Sequence, residues 1–233
     1  MPAVVRGESG HATIGGMRRA VHLPPDVRAV VFDLDGLLVD TETLWLEEES
    51  ALFAEHGVDF TREDSLATVG QVVDHSVAYF ASRIGQPASA IPDLRRELIA
   101  RMRAAFAERV EPLPGAIELV RGIAQADLPM AVASNTDRDL VLLALERAGI
   151  TDAFDAVVSA QDVGRPKPAP DVYIQACEAL GVAPSEALAL EDSESGVSAA
   201  RAAGLRVYAV PQLVEMDVSA ADRVLASLED LLR

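Results

Sequence analysis

Apolar residues recur along this chain in two alternating rhythms. The run Val27-Arg28-Ala29-Val30-Val31-Phe32 is short, β-branched and nearly continuous, the pattern of a strand buried on both faces. Similar runs recur at 130–133, 156–158, 187–190 and 205–210. Between them lie segments of helical period that stop at glycine: 139–148 before Gly149, 171–180 before Gly181 and 195–203 before Gly204. Strand alternating with helix several times predicts an α/β fold, a doubly wound, Rossmann-like parallel sheet with helices on both faces.

One stretch breaks the alternation. From about 43 to 111 the period is helical and no convincing strand is present. Val73, Val77, Phe80 and Ile84 fall on one helical face that stops at Gly85, and Leu94, Leu98, Met102 and Phe106 repeat every fourth residue. Trp45, Leu52, Phe53 and His56 mark a helix ending at Gly57, and Thr61 with Asp64 reads as a capping box opening a further short one. Such a set buries its apolar faces as a small all-helical domain. The prediction is an α/β core from 26–42 and 112–233, interrupted by a helical insert at 43–111. Glu111-Pro112-Leu113-Pro114-Gly115 is the stiff return linker.

Residues 1–25 follow neither rhythm. They are rich in Gly, Pro and small residues, hold a second methionine at Met17, and lack the apolar stretch of a secretory signal. A disordered extension or an over-extended start is expected there. The 233 residues carry 20 Lys+Arg against 37 Asp+Glu, a net charge of −17. That balance repels nucleic acid and anionic lipid, so neither is an expected partner. Lone Cys177 rules out an internal disulfide and sits in a helical pattern as a small core residue. No apolar run approaches the roughly 20 residues needed to span a bilayer, and the expected location is cytoplasmic.

In open parallel sheets ligands bind beyond the carboxyl ends of the strands, so the polar residues following each strand are the candidates. Asp33 and Asp35 follow the first, Ser134 and Asn135 the second, and Glu191 and Asp192 the one ending at Leu190; the loop after Val158 carries Lys167. Taken singly these are weak signals. Asp-x-Asp-Gly is often a turn or a calcium-loop fragment, a Lys between prolines a solvated loop residue, and Glu191-Asp192-Ser193 a helix cap. Together they are chemically complementary. Carboxylates can hold Mg²⁺, which offsets the repulsion between an attacking carboxylate and a phosphate. Asp33 can then act as nucleophile and Asp35, two residues on, as acid and then base. Lys167 and Ser134 supply charge and a hydroxyl donor to the phosphoryl oxygens.

Four segments in order resemble the signatures of haloacid dehalogenase-type phosphatases: Phe32-Asp33-Leu34-Asp35-Gly36 through Asp40, Val132-Ala133-Ser134-Asn135, Lys167-Pro168-Ala169-Pro170-Asp171, and Leu190-Glu191-Asp192-Ser193 with Ser195-Gly196. The resemblance implies Asp33 as nucleophile, Asp35 as acid/base, and Ser134, Asn135 and Lys167 at the phosphate. It implies Mg²⁺ held by the Asp33 carboxylate, the Asp35 main-chain carbonyl and Asp192, with Glu191 close by or acting through water. The insert resembles the family's mobile cap. The likeness extends to the β-phosphoglucomutase and sugar-phosphatase branch, which implies a small phosphorylated metabolite as substrate and a monomer by default.

Within that branch a phosphatase is expected over a mutase. The mutase carries a histidine where this chain has Trp45, and basic residues near the cap-loop glycine where it has Val69, Gly70, Gln71, Val72 and Val73. The rival from another class is a receiver-like signalling module, which also phosphorylates an aspartate; Asp35, the insert and the length argue against it. Trp45 is expected in the core of the insert, His75 on a solvated helix face, and Asp40 at the active-site turn or as a helix cap.

Overall fold

The computed structural model describes residues 20–212 and 216–232. Its centre is a six-stranded, wholly parallel sheet ordered β3-β2-β1-β4-β5-β6. The strands are β1 (Ala29–Phe32), β2 (Met130–Ser134), β3 (Ala156–Ser159), β4 (Ala187–Glu191), β5 (Arg206–Ala209) and β6 (Arg223–Val224). Between β1 and β2 the chain forms α1 (Glu42–Glu55), α2 (Arg62–Thr68), α3 (Val73–Arg83), α4 (Ile91–Arg109) and α5 (Ala116–Gln125). Then α6 (Arg138–Ala148), α7 (Asp171–Leu180) and α8 (Glu194–Ala203) alternate with the later strands. Helix α5 and strand β6 are not among the predicted elements: α5 follows the Pro-Gly linker and does carry helical spacing, with Ala116, Leu119, Val120 and Ile123 buried on one face, while β6 is two exposed residues at the edge.

Successive strand residues point to opposite faces, and here the faces differ in size. Val30, Phe32, Val132, Leu188 and Leu190 meet Leu119, Val120, Ile123, Leu140 and Leu145 of α5 and α6 on one side. Ala29, Val31, Ala131, Ala133, Ala187 and Ala189 meet Val172, Ala176, Cys177, Val197 and Ala200 of α7 and α8 on the other. The alanine-rich face lets α7 and α8 lie close to the strands. Cys177 is buried there as a free thiol, pushed up to about 11 by that burial.

The bulky face continues into α1–α4. Leu52, Phe53, Phe80, Leu98, Met102 and Phe106 are buried, with edge-to-face ring pairs Phe53–Phe80 at 5.1 Å and Phe53–Phe60 at 5.0 Å. Helix α4 packs on α1 and α3 and also on α6 of the core. The chain leaves and re-enters the core side by side: Asp40 N–H donates to Glu111 O at 2.9 Å and Leu113 N–H to Leu38 O at 3.0 Å. The capping box at α2 is complete, with Thr61 N–H donating to the Asp64 carboxylate at 2.8 Å and Asp64 N–H to Thr61 Oγ1 at 3.3 Å.

Of the segment expected to stand apart, residues 1–19, His11 and Met17 included, lie outside the described residues. Residues 20–25 are tied to the core: Val21 bridges Leu232, His22 N–H donates to Leu231 O at 2.9 Å, and Val21 and Leu23 pack against the bulky face. The short apolar stretch there has a partner in the C-terminal segment that no local periodicity reveals. No helix among the described residues is long and apolar enough to cross a membrane.

Candidate active site

Strand β1 is central and the strand order reverses beside it, so its carboxyl end opens at a topological switch point. Asp33 is the first residue beyond β1, and its N–H extends the ladder to Leu190 O at 2.9 Å. The chain then turns sharply: Leu38 N–H donates to Leu34 O at 3.0 Å and Gly36 N–H to Val39 O at 3.0 Å. Gly36 sits at φ +70°, and a Cβ there would lie 2.3 Å from Asp192 Oδ2. The turn thus needs glycine twice over, for backbone angle and for room beside a carboxylate.

Asp33, Glu191 and Asp192 converge, with one carboxylate oxygen of each within 4.8 Å of the others, and all three are buried. Lys167 Nζ, itself buried, donates to Asp33 Oδ1 and to Glu191 Oε1, both at 2.6 Å. Glu191 is saturated. Its Oε1 also accepts from Tyr173 OH, and its Oε2 from the N–H groups of Asp192 and Ser193 and from Ser193 Oγ. A Cβ on Gly196 would overlap Glu191 Oε1, which is how α8 comes so near. Asp192, by contrast, accepts no side-chain hydrogen bond among the described residues.

Ionised together, three carboxylates against one ammonium would leave two negative charges uncompensated in a buried site. Burial, with the neighbouring carboxylates, pushes Asp33 and Asp192 well above the usual carboxylate range. Burial pulls the Lys167 ammonium down, but Asp33 and Glu191 outweigh it and hold it above its ordinary value. A divalent cation bringing two positive charges fits this deficit, and oxygen-only donors suit a hard ion. The Asp35 carbonyl accepts no backbone hydrogen bond among the described residues and is free to join them.

Asp35 points its carboxylate to a ring of hydroxyls. Thr41 Oγ1 donates to Oδ1 at 2.6 Å, while Thr136 Oγ1 at 2.9 Å and Ser134 Oγ at 3.1 Å donate to Oδ2. Asn135 joins loops: Lys167 N–H donates to its Oδ1 at 2.9 Å, and its Nδ2 donates to Lys167 O at 3.3 Å and to Gly70 O, in the α2–α3 loop, at 2.9 Å. The sequence places Asn135 at the phosphate, yet its side chain is spent on these backbone groups; what it has left is its main-chain N–H, which makes no hydrogen bond among the described residues. Ser134 is fully buried beneath Asp35.

Asp33, Asp35, Asn135, Lys167 and Asp192 floor a pocket whose roof is α1, α2 and the α2–α3 loop, with Glu42, Trp45, Glu49, Thr68 and Gln71 among its lining. Trp45, expected in the core of the insert, is only partly buried: it packs edge-on to Phe106 at 6.3 Å and also lines the pocket. Asp40 accepts weakly from Thr43 N–H at 3.4 Å, and His75 is exposed. Thr41, Thr136, Tyr173, Glu42 and Glu49 are the site residues that sequence reasoning does not single out. Thr41, Glu42, Thr136 and Tyr173 each lie within two residues of a motif position, which is the one signal that marks them, and Glu49 lacks even that.

A family profile described as haloacid dehalogenase-like hydrolase matches residues 30–210. The chain belongs to that family. Hexitol phosphatase B of Escherichia coli strain K12 is 34% identical over 189 residues, covering 81% of this chain and 85% of the relative. Protein CbbY of Rhodobacter capsulatus is 35% identical over 210 residues, covering 84% and 92%. Among solved structures, CbbY of Rhodobacter sphaeroides in complex with xylulose-(1,5)bisphosphate superposes with a TM-score of 0.79 at 31% identity, covering 88% of this chain and 96% of that one. The Rossmann-like core and the helical insert are thus those of haloacid dehalogenase-like hydrolases.

Proposed function

We propose that this hydrolase is a Mg²⁺-dependent phosphatase of a small phosphorylated sugar or sugar alcohol, working through a phosphorylated Asp33. The observation that carries the reading is the charge deficit at the sheet edge: buried carboxylates on two strands, one shared ammonium, and a pocket opening directly over them. Asp33, Asp192 and the Asp35 carbonyl would hold the ion, and Glu191, with both oxygens occupied, would act on it through water or through charge alone. When bound, the ion supplies positive charge to the phosphoryl oxygens.

The chain's own groups divide the remaining work. Lys167 fixes one oxygen of Asp33, leaving the other to attack phosphorus as the ester P–O bond breaks. Asp35, protonated, gives its proton to the departing ester oxygen. It then takes a proton from the water that cleaves the aspartyl phosphate and regenerates Asp33. Its ring of hydroxyls holds the carboxylate in place between these steps, and Ser134 can turn its hydroxyl toward the phosphoryl group while Asp35 is protonated. The relatives named as phosphatases support the reaction class, and hexitol phosphatase B supports a polyol-like substrate.

The protein is expected to hydrolyse p-nitrophenyl phosphate with Mg²⁺ and not with EDTA. Asp33→Asn should lose about 10⁴-fold in turnover, and acid-quenched wild type should carry a phosphoryl group that the variant lacks. Undiminished turnover in Asp33→Asn would refute the nucleophile. A long-lived phosphoprotein without turnover would favour the receiver-like alternative instead.

A further inference from the structure

We propose that Glu49 is the specificity-determining residue of this pocket, binding hydroxyl groups of an uncharged substrate tail and excluding tails that bear a second phosphate. The inference rests on the phosphatase reading above and deepens it. The pocket is electrically lopsided. Among the described residues its floor holds the one lining cation, Lys167, which is already shared between Asp33 and Glu191. Its roof offers neutral donors and acceptors, Ser65, Thr68 and Gln71, beside the carboxyls of Glu42 and Glu49.

The cap's arginines do not reach this space. Arg83 pairs with Asp64, Arg95 with Asp74 and Asp137, and Arg109 with Glu47 and Glu48. A second phosphate held under this roof would be desolvated beside carboxyl groups with no cation to meet it, which is costly for any anion. A bisphosphate, such as the ligand in the Rhodobacter sphaeroides complex, would find no counter-charge here.

Glu49 itself is only 6% exposed, on the inner side of α1. Thr68 of α2 lines the same pocket, its hydroxyl donating to Asp64 O at 3.2 Å and to Ser65 O at 3.3 Å. Burial pushes Glu49 up to about 8, so at neutral pH its carboxyl holds a proton for most of the time. A protonated carboxyl both donates and accepts, and a hydroxyl does the same, so the two pair without leaving a charge unmet. Glu42 is likewise raised to about 8 by burial, then by Asp35, Glu49 and Asp40, but it lies over Asp35 and the Gly36 turn and is closer to the chemistry than to the tail.

The test compares p-nitrophenyl phosphate, fructose 6-phosphate and fructose 1,6-bisphosphate on wild type, Glu49→Ala and Glu49→Gln, all with Mg²⁺. Wild type should favour the monophosphate over the bisphosphate by at least about 10-fold in kcat/KM. Glu49→Ala should lose about 10- to 100-fold on fructose 6-phosphate, carried by KM, as expected for a lost hydrogen bond to an ionisable group. Its loss on p-nitrophenyl phosphate should be at least about five-fold smaller than its loss on fructose 6-phosphate, since that probe has no hydroxyl tail. Glu49→Gln, which keeps the shape and still donates and accepts, should stay within about three-fold of wild type on fructose 6-phosphate and keep its monophosphate preference, and Glu49→Met, which fills the space without a hydrogen bond, carries the test if the alanine variant does not fold. Equal losses on fructose 6-phosphate and p-nitrophenyl phosphate, or a wild type indifferent to the second phosphate, overturn the role of Glu49 while leaving the phosphatase reading intact. A wild type inert toward p-nitrophenyl phosphate removes that reading and this inference with it.

Discussion

Among the described residues, the helical insert and the sheet edge each bury carboxylate groups in a polar cluster, Asp64 in the one and Asp33, Glu191 and Asp192 in the other, and the two clusters are built on opposite terms. Asp64, fully buried between α2 and α3, accepts from five donors: Thr61 N–H and Oγ1, Tyr79 OH, and two nitrogens of Arg83. Arg83 above all, with Tyr79 and Thr61, holds its carboxyl well below the usual range despite burial. At the sheet edge Asp33 has one ammonium that it must share with Glu191, and Asp192 has no side-chain partner among the described residues. Both are pushed well above the usual range. Burial is common to the two clusters, so burial does not mark function. The supply of donors does. The cap cluster is complete as it stands and acts as a staple, whereas the core cluster is short of positive charge in a place open to a pocket.

The largest effect that can sharpen this contrast is stabilisation by the missing charge. Mg²⁺ at 100-fold above its dissociation constant should add about 2.7 kcal/mol to the metal-free protein, a rise of roughly 5 to 10 °C in Tm for a chain of this size. Asp192→Asn should abolish the rise and Asp64→Asn should keep it. A calorimetric scan with and without Mg²⁺ reads both, and a rise of the same size in Asp192→Asn would break the contrast.

A smaller effect comes from the complete cluster. Asp64→Asn deprives Arg83 of its counter-charge and turns one of the two acceptor oxygens into an amide that faces donors, and should cost about 2 kcal/mol, between a lost hydrogen bond to a charged group and a broken buried ion pair, because Arg83 is partly solvated. The pH dependence has a definite sign. Asp64 is depressed in the folded state, so its contribution is present above the unfolded value near 4 and is lost as pH falls through and below it. Wild type should therefore shed stability from about pH 4 downward more steeply than Asp64→Asn. Parallel denaturation curves over that range would show that Asp64 carries no special linkage.

The contrast also explains what the sequence made legible. Asp33, Asp35, Ser134, Asn135, Lys167, Glu191 and Asp192 are found by one rule, polar residues after strands, because a parallel sheet brings its carboxyl ends to one edge whatever the intervening length. The Thr61–Asp64 box is found because capping is local. The rest depends on contacts that no local pattern encodes. Tyr173 reads as an ordinary apolar position of α7, and only the sheet brings its hydroxyl to Glu191. Glu49 reads as one acid among Glu47, Glu48 and Glu49, and only the docking of α1 over the pocket turns that one inward. Val21 finds Leu232 across nearly the whole length of the chain. Asn135 is recognised as a site residue, but its bonds to Lys167 and Gly70 make it a fastening between core and insert.

The smallest predicted effect has the opposite sign to the usual one. Replacing a buried polar group by its neutral isostere normally destabilises, as at Asp64, because partners are left behind. Asp192 leaves none. In metal-free protein Asp192→Asn removes a carboxylate that is desolvated beside Asp33 and Glu191, so it should raise stability by about 1 kcal/mol. With Mg²⁺ present the order should reverse, because wild type then gains from the ion and the variant does not. Urea denaturation of both proteins, with EDTA and with Mg²⁺, measures the crossing directly. If Asp192→Asn were less stable than wild type under both conditions, Asp192 would be a structural residue with a partner, and the core cluster would be no different in kind from the one around Asp64.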